Sequence, residues 1–237
     1  MRRIPGLVGA MVLGFVLFGS ANAEAAFIAY VCGTQNCSGA TDVMVTDNGT
    51  GDLSSTTGAI LIAGTYFGYD LVINTSQSKP LVGSTTQPQM DIGYTLTNAV
   101  GTAGNIWLYA SDTNFTGQVS LLGNLNGNTS YSAYTIDGSI WGGSSNNVGD
   151  ISNLLISLGP LSTPLSYIDS GSSGRIGSVV NPYSLTLGLH LFTNSLGTTT
   201  GDLLMTSVPE PASLLLLGLG LLGGGAAVRR RRRRNAA

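Results

Sequence analysis

From residue 24 to residue 207 the chain alternates between apolar and polar positions. Ile106, Leu108 and Ala110 fall on one side of an extended backbone, with Trp107 and Tyr109 on the other. Ile92, Tyr94 and Leu96 alternate with Gly93, Thr95 and Thr97. Leu185, Leu187, Leu189 and Leu191 alternate with Thr186, Gly188 and His190. A period of two marks a strand with one buried face, and helical periodicity is absent from this region. The same pattern predicts strands at 27–31, 43–46, 59–63, 69–74, 118–122, 130–136, 154–158 and 203–206. Asp137-Gly138, lying between Tyr134-Thr135-Ile136 and Ser139-Ile140-Trp141, reads as a two-residue hairpin turn. Asn126-Gly127 and Asn48-Gly49 read as further turns, and 144–149 and 170–177 as surface loops. About ten short strands with frequent Gly and Asn turns predict one all-β domain, an antiparallel β-sandwich or jelly roll. A β-solenoid is the alternative, but it would need a fixed-period repeat, which the sequence lacks.

Both ends break the alternation. Arg2 and Arg3 precede an apolar run from 6 to 19, and Ala21-Asn22-Ala23 follows it directly. This order predicts a helical signal peptide over 1–23, cut after Ala23 by signal peptidase after passage through the general secretory (Sec) machinery. The mature domain is then 24–207. At the other end, residues 212–228 carry no charge and hold Gly218, Gly220, Gly223, Gly224 and Gly225. As a helix, this stretch is about 25 Å long, slightly short of a typical bilayer core, and glycine is common in membrane helices. Arg229, Arg230, Arg231, Arg232, Arg233 and Arg234 follow as a stop-transfer block that stays cytoplasmic. Pro209 and Pro211 hold the segment before the helix extended, because proline lacks the N–H and restricts its predecessor.

Val208-Pro209-Glu210-Pro211-Ala212-Ser213, the apolar helix and the arginine block, in that order, resemble the PEP-CTERM sorting signal of exported Gram-negative bacterial proteins. The resemblance covers 208–237 only. It implies recognition of Val208, Pro209, Glu210 and Pro211 by an exosortase, a membrane-embedded cysteine-dependent protease. It further implies removal of the tail after transient anchoring in the inner membrane, release to the cell surface or medium, and a setting of exopolysaccharide and biofilm.

Charge sharpens the division. Between 24 and 207 lie eleven acidic and two basic side chains, Lys79 and Arg175, a net −9 against −2 for the whole chain. An acidic domain argues against nucleic acid as a partner, since phosphate binding needs a basic surface.

Few side chains suggest chemistry. Cys32 and Cys37 in an exported chain predict a disulfide stapling the loop after the first strand; their spacing is not the Cys-x-x-Cys of a redox pair. A zinc site would need further ligands, and His190 is the lone histidine. Any Ser-His-Asp arrangement must therefore use His190, which the alternation places mid-strand on a sheet surface, and no Gly-x-Ser-x-Gly elbow is present. The aspartates sit mostly in turn contexts, which local hydrogen bonding explains without a glycosidase pair. Asp47, Asn48 and Asp52 form the best calcium candidate, with a plain Asp/Gly turn as the alternative, and Asp112-Thr113-Asn114 is a weaker one. Trp107, Trp141, Tyr131 and Tyr134 are candidates for a sugar-stacking platform, against ordinary strand packing.

The expectation is an exported, exosortase-processed, non-enzymatic surface or matrix protein without a required cofactor. A carbohydrate-binding module is the first alternative and a secreted hydrolase the second.

Overall fold

The computed structural model describes residues 26–102, 104–176 and 180–208, and this region holds twelve strands and no helix. They are β1 (Ile28–Cys32), β2 (Val43–Thr46), β3 (Ala59–Tyr66), β4 (Tyr69–Gln77), β5 (Gln89–Asn98), β6 (Gly104–Phe115), β7 (Ser120–Thr129), β8 (Tyr134–Gly143), β9 (Leu154–Leu161), β10 (Leu165–Arg175), β11 (Tyr183–Thr193) and β12 (Gly197–Val208). They form two six-stranded antiparallel sheets. Sheet 1 runs β2-β1-β6-β11-β8-β9 and sheet 2 runs β10-β7-β12-β5-β4-β3.

The alternation explains how the sheets pack. Leu185, Leu187, Leu189 and Leu191 of β11 meet Ile92, Tyr94 and Leu96 of β5 and Leu203 and Met205 of β12 in one core between the sheets. The opposite face of sheet 2 carries mostly Thr, Asn and Asp, as expected for an antiparallel sheet with one solvated side, whereas that of sheet 1 is not uniformly polar. The chain changes sheet often, so central pairings are non-local: β1 with β6, β6 with β11, and β12 with both β5 and β7. β12 follows all the other strands in sequence yet lies in the interior of its sheet.

Three expected loops are strand. Asp137-Gly138 lies inside β8, because a Cβ at Gly138 would stand 3.0 Å from Leu203 of the facing sheet while Asp137 turns outward. Asn126-Gly127 lies inside β7, where Tyr167 crosses: a Cβ on Gly127 would be 2.2 Å from its hydroxyl. Both glycines serve close approach across the core rather than a turn. The predicted loop 170–177 is instead strand β10 as far as Arg175, paired with β7. Asn48-Gly49 is a turn, with Asn48 at φ 55°, and 144–149 is a loop.

Candidate functional site

The outward face of sheet 1 is aromatic at its centre. Register sets Tyr30 of β1 directly opposite Tyr109 of β6, and Tyr109 opposite Gly188 of β11. The next row holds Cys32, Trp107, His190 and Asp137. Trp141 of β8 leans in from the side. A Cβ at Gly188 would lie 2.5 Å from the Trp141 ring and 2.6 Å from that of Tyr109, so the missing side chain is the space these rings share. Trp107 stacks on His190 with centroids 4.0 Å apart, and Tyr109 meets Trp141 at 6.0 Å and 46°. Tyr109 (3% exposed) and Trp141 (5%) are buried although they point away from the main core, because two loops cover them.

The first loop follows β1 and is closed by the Cys32–Cys37 disulfide, with Cα atoms 5.1 Å apart. Asp42 folds the rest of it, accepting from the Gly33 and Gly39 N–H groups at 3.1 and 2.6 Å. The Tyr109 hydroxyl pins it to the sheet by donating to the Gln35 carbonyl at 2.7 Å. The second loop follows β8. Asp150 accepts from the Ser145 hydroxyl at 2.5 Å and the Ser152 N–H at 2.9 Å. Partial burial pulls the Asp150 carboxyl upward, but hydrogen bonds from Ser145 and Ser152 outweigh it and hold the group below its ordinary value. Asn146 exchanges hydrogen bonds with Asn114 at 2.7 and 2.8 Å, and the Gly149 N–H donates to Ser111 Oγ at 2.8 Å.

Between the loops lies a cavity of about 380 Å³ lined by Tyr30, Gln35, Asn36, Cys37, Tyr109, Val148, Gly149 and Ile151. None of these side chains carries a charge at neutral pH. Burial raises the phenol pKa of both Tyr30 and Tyr109, which keeps them neutral donors. The volume falls within the range of small-ligand sites, and an aromatic wall with a few polar groups is their usual lining.

The other candidates separate. Trp107 and Trp141 share the outward face, whereas Tyr131 and Tyr134 belong to the core between the sheets, so the four make no single platform. His190 does meet an aspartate: Nδ1 lies 2.9 Å from Asp137 Oδ2. Its Nε2, however, faces Asn105 Oδ1 at 2.9 Å rather than a hydroxyl, so no triad forms around it. In the calcium candidate, Asp47 Oδ2 accepts from the Gly58 N–H at 2.7 Å, Asp52 Oδ1 from Ser54 and Leu61, and Asp52 Oδ2 from Asn48. Burial lifts the Asp47 carboxyl above its ordinary value. These carboxylates fold the turn, and a calcium ion would have to compete with the N–H donors. Among the described residues no group of three or more His, Cys, Asp or Glu side chains could hold a metal. In the second calcium candidate, Asp112 is buried in an ion pair with Lys79 Nζ at 2.8 Å, and Ser78 Oγ donates to it at 2.5 Å. Lys79 also donates to the Thr113 carbonyl and lies 3.9 Å over the Phe115 ring. Burial pulls the Lys79 pKa down, and Asp112 partly offsets this.

The sequence alone did not single out Tyr30, Gln35, Asn36 or the loop carrying Val148 and Ile151. The usable signal was Tyr109 sharing a strand face with Trp107, beside a disulfide-closed loop. Of the other expected features, Ala21, Ala23, Pro209, Glu210, Pro211, Arg229 to Arg234, the signal helix and the membrane helix lie outside the described residues.

Comparison with known proteins bears on the tail. Residues 207–233 match the PEP-CTERM protein-sorting motif. The motif implies an exported, exosortase-targeted chain with a transient membrane anchor. No curated protein matches by sequence. Among solved structures, the enzymatically active domain of bacteriophage CBA120 tailspike protein 4 is 8% identical with a TM-score of 0.32, over 60% of this chain and 19% of that one. This chain thus spans about a fifth of that protein's length. The K1 cleaved adhesin domain of Lys-gingipain from Porphyromonas gingivalis W83 is also 8% identical with a TM-score of 0.32, over 64% of this chain and 99% of that one. Both similarities are too slight to bear on function.

Proposed function

We propose that this chain is a non-enzymatic surface or matrix protein of a Gram-negative bacterium, a β-sandwich exported through a signal peptide, released by exosortase and retained in exopolysaccharide. The observation that carries it is the junction of domain and tail. Val208 is the last residue of β12, paired with Ser120, and it already belongs to the matched sorting segment. The tail is thus built onto the structural centre of sheet 2. The β1 end lies at the same pole, where the Ala26 N–H meets Thr113 Oγ1 at 3.4 Å near the end of β6, four residues before β7 begins. A domain with both ends at one pole can be held by either end without distortion. His190, whose two ring nitrogens face Asp137 and Asn105, speaks against a Ser-His-Asp hydrolase built on it. The test is expression with and without an exosortase. Tail-free protein should reach the medium only with the enzyme, and Glu210→Ala should leave the tail attached. Equal maturation in both hosts would overturn the reading.

A second reading, a carbohydrate-binding module, is favoured by the cleft on sheet 1. Co-sedimentation of the released protein with the cell's own polysaccharide is its first test, and folded protein that stays in the supernatant would count against it.

A further inference from the structure

We infer that the cavity between the disulfide loop and the loop after β8 is a binding site for an uncharged saccharide, one or two sugar rings of a neutral polysaccharide. The inference rests on the carbohydrate-binding reading and places its contact at Tyr30, Gln35 and Asn36 rather than on the Trp107–His190 stack.

Three observations converge. The first is what the lining offers. The Tyr30 hydroxyl and the side-chain amides of Gln35 and Asn36, both exposed residues, have no hydrogen-bond partner among the described residues, so all three are open to a ligand where they border one cavity beside aromatic rings. Two amides and a phenol supply both donors and acceptors, which suits the mixed hydroxyls of a sugar. The apolar ring faces suit its C–H face, since tyrosine joins an apolar body to a polar tip.

The second is what the lining withholds. The nearby carboxylates, Asp42 and Asp150, are turned into their own loops by N–H and hydroxyl donors. Among the described residues no cation lines the cavity, and the surrounding domain carries a net −9. Uronic or otherwise anionic polysaccharides meet repulsion there without a compensating Lys or Arg, and a cationic ligand finds no carboxylate.

The third is that the loop backbones forming the walls are tied down before any ligand arrives. The disulfide closes one loop, Tyr109 pins it through Gln35, and Asn146 and Gly149 tie the other to β6. Rigid walls reduce the ordering that binding must impose.

Titration calorimetry on the full chain, held in a detergent without a sugar headgroup, tests this independently of processing. The probes are neutral gluco-, manno- and galacto-configured tetrasaccharides and a uronic-acid tetrasaccharide of the same length. At least one neutral probe should bind and the uronate should not. Tyr30→Ala and Asn36→Ala should each weaken binding about tenfold or more, and Tyr30→Phe about three- to tenfold, as loss of one or two hydrogen bonds requires. Circular dichroism should show each variant folded. A uronate binding as well as the neutral probes overturns the ligand class. Neutral binding untouched by Tyr30→Ala and Asn36→Ala overturns this site while leaving the carbohydrate-binding reading intact. Failure of every saccharide on the folded chain sinks both.

Discussion

At the scale of single residues, Asp91 is the most informative titrating group. It lies in β5 on the outward face of sheet 2, accepts from the Gln77 N–H at 3.0 Å and feels the negative charge of Asp202. Burial first, then that like charge, pushes its pKa up to about 6. Below about pH 4 both folded and unfolded chains hold the proton, and between about 4 and 6 only the folded chain does. Stability therefore falls as pH rises through that window and is flat with respect to this group above it. After allowance for solvent screening, the loss is about 1–2 kcal/mol. Asp91→Asn keeps an acceptor for Gln77, removes the charge, and should raise stability at pH 7 by about that amount. Urea melts from pH 4 to 7 check it; an unchanged slope between pH 4 and 6 would refute the assignment. Gly188 is the second such residue. Gly188→Ala should displace the Trp141 and Tyr109 rings, at a cost of about 1–3 kcal/mol typical of overpacking, with a shift in tryptophan emission that reports the moved ring.

At the scale of elements, Lys79 and Asp112 join the segment after β4 in sheet 2 to β6 in sheet 1. A pair this buried is costly to break from one side, because the survivor is left charged without a partner. Lys79→Ala should cost about 3–5 kcal/mol by chemical denaturation, and Lys79→Met with Asp112→Leu should recover much of that. If the double variant is as unstable as the single one, the cost lies in packing over Phe115 and not in the stranded carboxylate. Much of the element pattern was legible in advance. The leucines of β11 and the core residues of β5 and β6 followed from period-two alternation alone. The glycines misled, because Gly127 and Gly138 look like hairpin signals in sequence, and only the opposite sheet shows that Tyr167 and Leu203 need the room. β10 was missed because, after Tyr167, its alternate positions are Asp169, Gly171 and Ser173, so a single buried aromatic gives no apolar period to find. Of the site, the disulfide was legible from the compartment and the spacing of its cysteines. The cleft was not, because Tyr30, Gln35 and Ile151 come together only through the pairing of β1 with β6 and the fold of the loop after β8.

At the scale of the molecule, the chain completes its second sheet with its final strand. Without β12 the pairs β12–β5 and β12–β7 are lost together, and sheet 2 becomes two pieces. A chain ending at residue 196 should show no cooperative unfolding transition and should be cut rapidly by protease, whereas a sharp transition would show that β5 and β7 can close on each other. This placement of β12 sets an order of events during export. Until residues 197–208 have crossed the membrane, β5 and β7 each offer a bare edge, and bare edges recruit strands from neighbouring chains. The segment that follows is the sorting tail, which tethers each arriving chain as its own last strand becomes available. The short connection from β11 to β12, residues 194–196, holds that strand at the millimolar effective concentration of a short linker, far above that of a neighbour's copy. A chain's own β12 is therefore placed to close the gap between β5 and β7 ahead of a neighbour's copy as soon as residues 197–208 have crossed.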